Sequence, residues 1–404
     1  MSKFSVKTID DINAKSKYVL MRCDFNVPIV NGSISDDTRI RATIPTIKKV
    51  LKDGAKIILC SHLGKAAGKP DPKLTLKPVA VRLSEILKKD VKFLHDDKVI
   101  SSSVLDSIHS MKDGDIVLLE NLRYRIEEEN NGESFAKELA STCDIYVNDA
   151  FGTAHRAHAS TYGVAKFVET CVAGYLLEKE VSILGMLLEN PPRPFVGILG
   201  GAKIKDKLKI IDNLLEHCDK LIIGGGMAYT FLKAMGYEVG NSLLDESKID
   251  YCKEMLAKAK KLKKEILLPV DTVATIDFPN PIDAKVPTKT FKFAEFDKNY
   301  MGLDIGRESI KTFMKALDGA KCVVWNGPMG LFENPSFRLG SYCIARKLSE
   351  LKGAKTIIGG GDSVSAVSMA NVTDKMFHIS TGGGATLTFL EGTELPGIKC
   401  LNKK

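Results

Sequence analysis

No run of apolar residues in this 404-residue chain approaches the roughly 18–20 that a membrane-spanning helix requires. The opening stretch "MSKFSVKTIDDINAKS" has no apolar signal-peptide core, and the closing "KCLNKK" is not a peroxisomal tripeptide. A cytoplasmic location and no membrane partner are therefore expected. There is also no C-x-x-C. The nine cysteines are widely spaced, mostly inside apolar runs such as "VLMRCDF", "IILCS" and "KCVVW", which points to reduced, buried thiols rather than a disulfide frame or a zinc site. Three nucleotide-binding signatures are missing as well. The absence of G-x-x-x-x-G-K-[ST] excludes a P-loop NTPase, the absence of G-x-G-x-x-G argues against a dinucleotide-dependent dehydrogenase, and the absence of H-R-D and D-F-G excludes a protein kinase.

What is present is length and alternation. A chain of this size exceeds one ordinary core, so two domains are expected. Short β-rich runs near residues 18–22, 56–60, 91–94, 115–119, 144–147, 195–199, 220–223, 265–268, 322–325 and 356–358 alternate with helix-length amphipathic segments such as "TIPTIKKVLKDG" and "LKPVAVRLSEILKKD". This is the pattern of parallel sheets with helical crossovers. Between the halves, "GYLLEKEVSILGMLLENPPRP" keeps a helical period until it meets Pro191, Pro192 and Pro194. The expected fold is α/β: two doubly wound, Rossmann-like parallel-sheet domains joined by a hinge helix. The boundaries are residues 1–173, a connecting helix at 174–190, a second domain at 191–390, and a tail at 391–404 that packs back on the first domain. Ligands of such sheets bind beyond the carboxyl ends of the strands.

Polar residues gather at those ends. In "YVLMRCDFNVP", period-two alternation places Arg22, Asp24 and Asn26 on one strand face and Cys23, Phe25 and Val27 on the other. From this run alone an internal Arg22–Asp24 pair and a ligand site are equally good readings. Arg39, Arg41, Arg123, Arg125, Arg156 and His62 also fall near predicted strand ends, where converging guanidinium forks suit a small multiply charged acid. Taken singly, each arginine could equally be a surface ion pair. The net charge of +8 fits small anions better than nucleic acid, because the basic residues are interspersed with acidic ones and the dense run "AKAKKLKKE" reads as a solvated helix face. His155 and His158 lack nearby metal-ligand partners, so they are not read as a metal pair. In the second half glycine recurs after the strands, in "GILGGAKIKDK", "LIIGGGMAYTF", "VVWNGPMGLFE", "TIIGGGDSVSAV" and "HISTGGGATLTF". Such turns let backbone approach phosphate oxygens, and the helices that follow aim N–H groups at an anion.

Taken in order, "RCDFNVP", "DDTRIRATIPTI", "SHLG", "LLENLRY", "NDAFGTAHRAHAS", "LGGAKIKDK", "IIGGGMAYTF", "LDIG", "WNGPMGLFE", "IGGGDSVSAV" and "STGGGATLTFLEG" resemble the motifs of the phosphoglycerate kinase family, from about Tyr18 to the end. The resemblance implies reversible transfer of a phosphoryl group between 1,3-bisphosphoglycerate and ADP, giving 3-phosphoglycerate and ATP, with magnesium. It implies substrate contacts from Arg22, Asp24, Phe25, Asn26, Arg39, His62, Leu63, Gly64, Lys65, Arg123 and Arg156. Arg39, Lys203 and Lys207 are implied as the catalytic cations, with Arg39 reaching the transferring phosphoryl group. Nucleotide contacts would come from Gly201, Ala202, Lys203, Lys207, Gly225, Gly226, Gly302, Asn326, Pro328, Leu331, Glu333, Gly360, Gly361, Asp362 and Ser363, and Asp362 would hold the metal. Two positions depart from the family's habit: Lys65 stands where Arg is usual, and Ser363 where Thr is common.

Phosphoryl transfer asks mainly for in-line positioning and cations around the moving group, with water excluded. A monomer in which a basic acid-binding domain and a glycine-rich nucleotide domain close about a hinge meets these needs without a phospho-enzyme. The alternative is a catalytically silent relative that binds nucleotide.

Overall fold

The computed structural model describes residues 4–403. The chain divides into two compact units, Met1–Gly185 with Glu394–Lys404, and Met186–Thr393.

In the first unit, six parallel strands form one sheet: β1 (Tyr18–Cys23), β4 (Lys56–Cys60), β5 (Lys92–Leu94), β6 (Ile116–Leu119), β7 (Ile145–Asp149) and β8 (Thr170–Ala173), in the order β5-β6-β4-β1-β7-β8. A two-stranded hairpin, β2 (Ile29–Val30) and β3 (Ser33–Ile34), lies outside it. The central strands are buried almost end to end, as expected when helices cover both faces. Strand order reverses between β1 and β7, so the crevice for a ligand opens beyond their carboxyl ends. The tail belongs to this unit: Asn148 Nδ2 donates to Gly397 O at 2.9 Å, and Asn402 N donates to Cys171 O at 2.9 Å.

The helix Tyr175–Glu189 follows β8, and the division between the units falls within it. Its start is fixed from inside the first unit, where Asp149 Oδ1 accepts Leu176 N at 2.9 Å and Leu177 N at 3.2 Å. Tyr175 N donates to Thr46 Oγ1 at 3.0 Å. These acceptors satisfy amides that a helix start leaves unpaired.

The second unit carries β9 (Phe195–Leu199), β10 (Lys220–Ile223), β11 (Glu265–Leu267), β15 (Cys322–Asn326), β16 (Lys355–Gly359) and β17 (His378–Ile379), all parallel, in the order β11-β10-β9-β15-β16-β17. In chain order this is the 3-2-1-4-5-6 arrangement of a mononucleotide-binding sheet, with its switch point between β9 and β15. A separate antiparallel sheet, β13-β12-β14, is formed by β12 (Asp271–Thr275), β13 (Lys289–Lys292) and β14 (Met301–Ile305). It covers a small aromatic core of Tyr229, Phe291, Phe293 and Phe296, and nothing in the sequence reading anticipates it.

Candidate functional site

In the first unit, β1, β4, β6 and β7 each deliver predicted site residues at their carboxyl ends. β1 ends at Cys23, so Asp24 and Asn26 lie in the turn beyond it, where strand alternation no longer governs them. Asp24 does not pair with Arg22. Its Oδ2 accepts Arg39 Nη1 at 3.0 Å, and the same nitrogen donates to Asn26 O at 3.3 Å. Arg39 stands in the first turn of the helix Thr38–Lys52, its side chain 38% exposed, so one terminal nitrogen of this guanidinium, Nη1, is held, while Nη2 and Nε have no hydrogen-bond partner among the described residues.

The loop after β4 carries His62, Leu63, Gly64 and Lys65. Asn26 Oδ1 accepts Gly64 N at 2.9 Å, and Arg123 Nη1 donates to Gly64 O at 2.6 Å. Beneath the loop the fully buried Asn121 uses both ends of its amide. Oδ1 accepts Leu63 N and Arg123 N at 3.2 and 3.1 Å, and Nδ2 donates to Leu63 O and Leu74 O at 2.8 and 2.9 Å. Phe25 is buried, with its N–H on Ser61 Oγ at 2.8 Å. Lys65 and Arg156 are exposed, Arg156 donating through Nε to His155 Nε2 at 3.3 Å. One hydrogen-bonded frame thus ties Asp24, Asn26, Arg39, Leu63, Gly64 and Arg123 together.

Arg22 is 1% exposed, and each of its side-chain nitrogens has a partner inside the protein. Nε donates to Ser160 Oγ at 2.7 Å, Nη1 to Cys23 O, and Nη2 to His62 Nδ1 at 3.2 Å. Its effect on a ligand therefore runs through His62. Burial, then the charges of Arg22, Arg123, Arg156 and Arg39, hold the His62 imidazole well below its ordinary pKa, so it is neutral at physiological pH. Burial likewise lowers Arg123, against the pull of Glu129. Arg41 and Arg125 stay outside the frame: Arg41 pairs with Asp37, and Arg125 with Glu127 and Glu138. A cavity of about 790 Å³ beside the β2–β3 hairpin, lined by Asp37, Arg41, Arg82 and Glu85 among others, includes Arg41 but no residue of the frame, and these four charges pair among themselves.

The second unit builds its candidate site from backbone. The turns after β9, β10 and β15 lie against one another: Gly201 N donates to Pro328 O at 2.9 Å, Gly225 N to Met329 O at 3.0 Å, and Met227 N to Gly201 O at 3.0 Å. Gly225 has φ +66°, and a Cβ there would stand 2.6 Å from Gly201 N and 2.8 Å from both Gly201 O and Pro328 O. Only glycine fits. A Cβ at Gly226 would stand 3.0 Å from Ala202 O. Lys207 immediately precedes the helix Leu208–His217, makes no capping hydrogen bond to it, and donates through Nζ to Asn326 Oδ1. Burial lowers its pKa to about 8, against the attraction of Asp362 and Asp206. Asn326 in turn donates to Gly359 O at 2.9 Å, and the buried Ser363 hydroxyl accepts Gly327 N. The helix Gly361–Met369 opens after Gly360. Ala202, Lys203, Glu333, Gly361 and Asp362 are exposed. Leu331 is anchored by its N–H on Leu303 O at 2.7 Å. Gly302 sits in β14 against Tyr229, whose hydroxyl would be 2.0 Å from a Cβ.

Among the described residues no group of three or more His, Cys, Asp or Glu could hold a metal ion by itself. A single exposed carboxylate, Asp362, at the start of a helix beside the phosphate-directed turns suits a magnesium ion that takes its remaining oxygens from phosphates and water. Asn121, Glu128 and Ser160 are structural parts of the first site absent from the predicted set. Asn121 and Ser160 lie inside motifs already singled out, whereas Glu128, in the run "IEEE", carries no sequence signal that separates it from its half-buried neighbours Glu127 and Glu129.

The phosphoglycerate kinase family model matches residues 9–393. Curated phosphoglycerate kinases of Clostridium tetani and Clostridioides difficile are each 54% identical, over 401 residues (99% of both chains) and 404 residues (all of both) respectively. The structure of phosphoglycerate kinase from Coxiella burnetii superposes with a TM-score of 0.89 at 38% identity, and that from Pyrococcus horikoshii with 0.80 at 31%, each covering 98% of both chains. No helix among the described residues is long and apolar enough to cross a membrane. With two doubly wound sheets, each presenting its chemistry at the switch point, and a match from end to end, this chain belongs to the phosphoglycerate kinase family.

Proposed function

We propose that the protein catalyses reversible phosphoryl transfer from 1,3-bisphosphoglycerate to ADP, giving 3-phosphoglycerate and ATP, in glycolysis and gluconeogenesis, as a cytoplasmic monomer. The observation that carries this reading is the frame of the first unit, in which Asp24, Asn26, Gly64, Arg123 and Arg39 are bound into one set in a chain of this family.

In this reading Asp24, Asn26 and the Leu63–Gly64 backbone orient the glycerate, Lys65, Arg123 and Arg156 neutralise its phosphate and carboxylate, and His62 contributes as a neutral hydrogen-bonding group. Arg22 acts from beneath, through His62. The nucleotide takes its phosphates at Gly201, Ala202, Asn326, Gly360, Gly361 and Ser363, with Lys203 and Lys207 supplying positive charge. Gly225, Gly226, Gly302, Pro328 and Leu331 border the nucleoside, and Glu333 accepts from its ribose. Magnesium, held by Asp362 and the phosphates, offsets phosphate charge when bound. Arg39, anchored on Asp24 through Nη1 with its other nitrogens free among the described residues, stabilises the equatorial oxygens of the moving group. Such preorganised cations are worth most in the transition state. Transfer is direct and in line, and closing the hinge brings the two ligands together and expels water.

The test is ADP production from ATP, with and without 3-phosphoglycerate and magnesium, trapping the acyl phosphate, and repeated with GTP. Turnover that requires both acid and metal is expected. Nucleotide binding without acid-dependent turnover would favour a silent relative.

A further inference from the structure

Glu128 is a fully buried carboxylate near two arginines, Arg22 at 4.0 Å and Arg123, and one histidine, His158 at 3.9 Å, yet among the described residues it makes no hydrogen bond to a predicted ligand group. Its partner is Ser160, also fully buried: Glu128 Oε1 accepts the hydroxyl at 2.6 Å, and Oε2 accepts Ser160 N at 2.9 Å. The serine oxygen, its proton committed to the carboxylate, is left to accept Arg22 Nε at 2.7 Å. The far end of the same guanidinium reaches His62 Nδ1 at 3.2 Å.

The direction of this chain is fixed by chemistry. A guanidinium has only donors, so His62 Nδ1 must be the acceptor. A neutral imidazole whose Nδ1 accepts carries its proton on Nε2. Nε2 has no hydrogen-bond partner among the described residues. His62 is also surrounded by positive groups, Arg22, Arg123, Arg156 and Arg39, and His158, itself neutral, lies 3.9 Å from Glu128. We infer that Glu128 and Ser160 are positioning residues which, through Arg22, lock His62 as a neutral Nε2–H donor facing the anionic substrate. Without them the ring could present a bare acceptor to a phosphate or carboxylate oxygen, which would repel it.

The inference rests on the proposed kinase reading for the identity of the anion, but the tautomer is read on ligand-free protein, so failure of one is distinguishable from failure of the other. Long-range 15N–1H spectra of histidine-labelled protein, assigned with His62→Asn, should show His62 with an unprotonated Nδ1 and a protonated Nε2 across neutral pH. In Ser160→Ala, Arg22 loses its acceptor, and the two tautomers should mix. The KM for 3-phosphoglycerate should rise about tenfold, as for a hydrogen bond to a charged group, with the KM for nucleotide unchanged. A wild-type ring that is charged or protonated on Nδ1 overturns the inference even if the variants fail to fold. So does a folded Ser160→Ala protein with the wild-type tautomer and the wild-type KM for the acid.

Discussion

The two units build the carboxyl edges of their parallel sheets, where the proposed function places anionic phosphates, from opposite materials. The first uses side chains: Arg39 on Asp24, Arg123 on Gly64 O, Asn26 on Gly64 N, and Arg22 among Ser160 and His62. The second uses main chain, three turns packed amide to carbonyl with no room for a Cβ at Gly225. A site made of side chains should fail when residues are truncated, and one made of backbone should fail when residues are enlarged. The first also buries charge and so needs every donor matched, since an unpaired buried ion is costly. The second opens the helix Gly361–Met369 after Gly360, and the amides that a helix start leaves unpaired need no counter-ion.

Truncating Arg39 should produce the largest effect. In Arg39→Ala the expected loss is on the order of 100-fold or more in kcat, the scale of removing one preorganised transition-state group, with nucleotide affinity unchanged by calorimetry. Near-normal turnover would break the comparison at its most exposed point.

Enlargement comes next. Gly225→Ala places a methyl group on Gly201 and Pro328 backbone, whereas Gly114→Ala, also at positive φ (+87°), meets nothing within 4 Å. Both variants should pay left-handed strain of about 1–2 kcal/mol. Only Gly225→Ala should lose further stability and nucleotide affinity. Equal melting temperatures for the two would mean that the packed turns yield more readily than their contacts imply.

The contrast also explains what the sequence made legible. Parallel strands buried on both faces announce themselves as apolar runs, and β1, β4, β9, β10, β15 and β16 lie within a residue or so of where those runs place them. β13 was illegible because it is short and mostly exposed, and β12 and β14 because the polar residues Asp271, Thr272, Thr275 and Asp304, buried within them, break up their apolar runs. In the first site Asp24, Asn26, Arg39 and Arg123, which the structure joins in one frame, could be picked out by residue type, but their supports could not. Glu128 looks like its neighbours Glu127 and Glu129 until folding buries it, and Asn121 gains its importance from Leu63 and Leu74, distant in sequence. In the second site the glycines were legible, although for Gly302 the close neighbour in the structure is the Tyr229 hydroxyl.

Lys207 is the exception in the backbone-built site, a buried cation with a pKa near 8, and it gives a sign-specific pH test. In the ligand-free protein burial disfavours the ammonium, so the folded state binds fewer protons than the unfolded state between about 8 and lysine's ordinary 10.5. Stability contributed by this group should therefore rise with pH across that window. Nucleotide phosphates favour the ammonium, so affinity should fall above pH 8, by at most about tenfold per pH unit for one proton. Titration calorimetry from pH 7 to 9.5 on wild type and Lys207→Met separates the two. A slope retained in the variant would assign the titration elsewhere.

Lys65→Arg should give the smallest effect. Lys65 is exposed at the end of the loop that Asn121 and Arg123 hold by its backbone at Leu63 and Gly64, so its position is set by the frame and its reach by its own side chain. An ammonium offers a point charge where a guanidinium offers two parallel donors. The frame should accept the exchange without strain, and the KM for 3-phosphoglycerate should fall by no more than about tenfold, within the worth of one charge-assisted hydrogen bond, with kcat and the nucleotide KM unchanged. A rise in KM would mean that the surrounding side chains are arranged for lysine, making the side-chain-built site specific to its own residues rather than to charge alone.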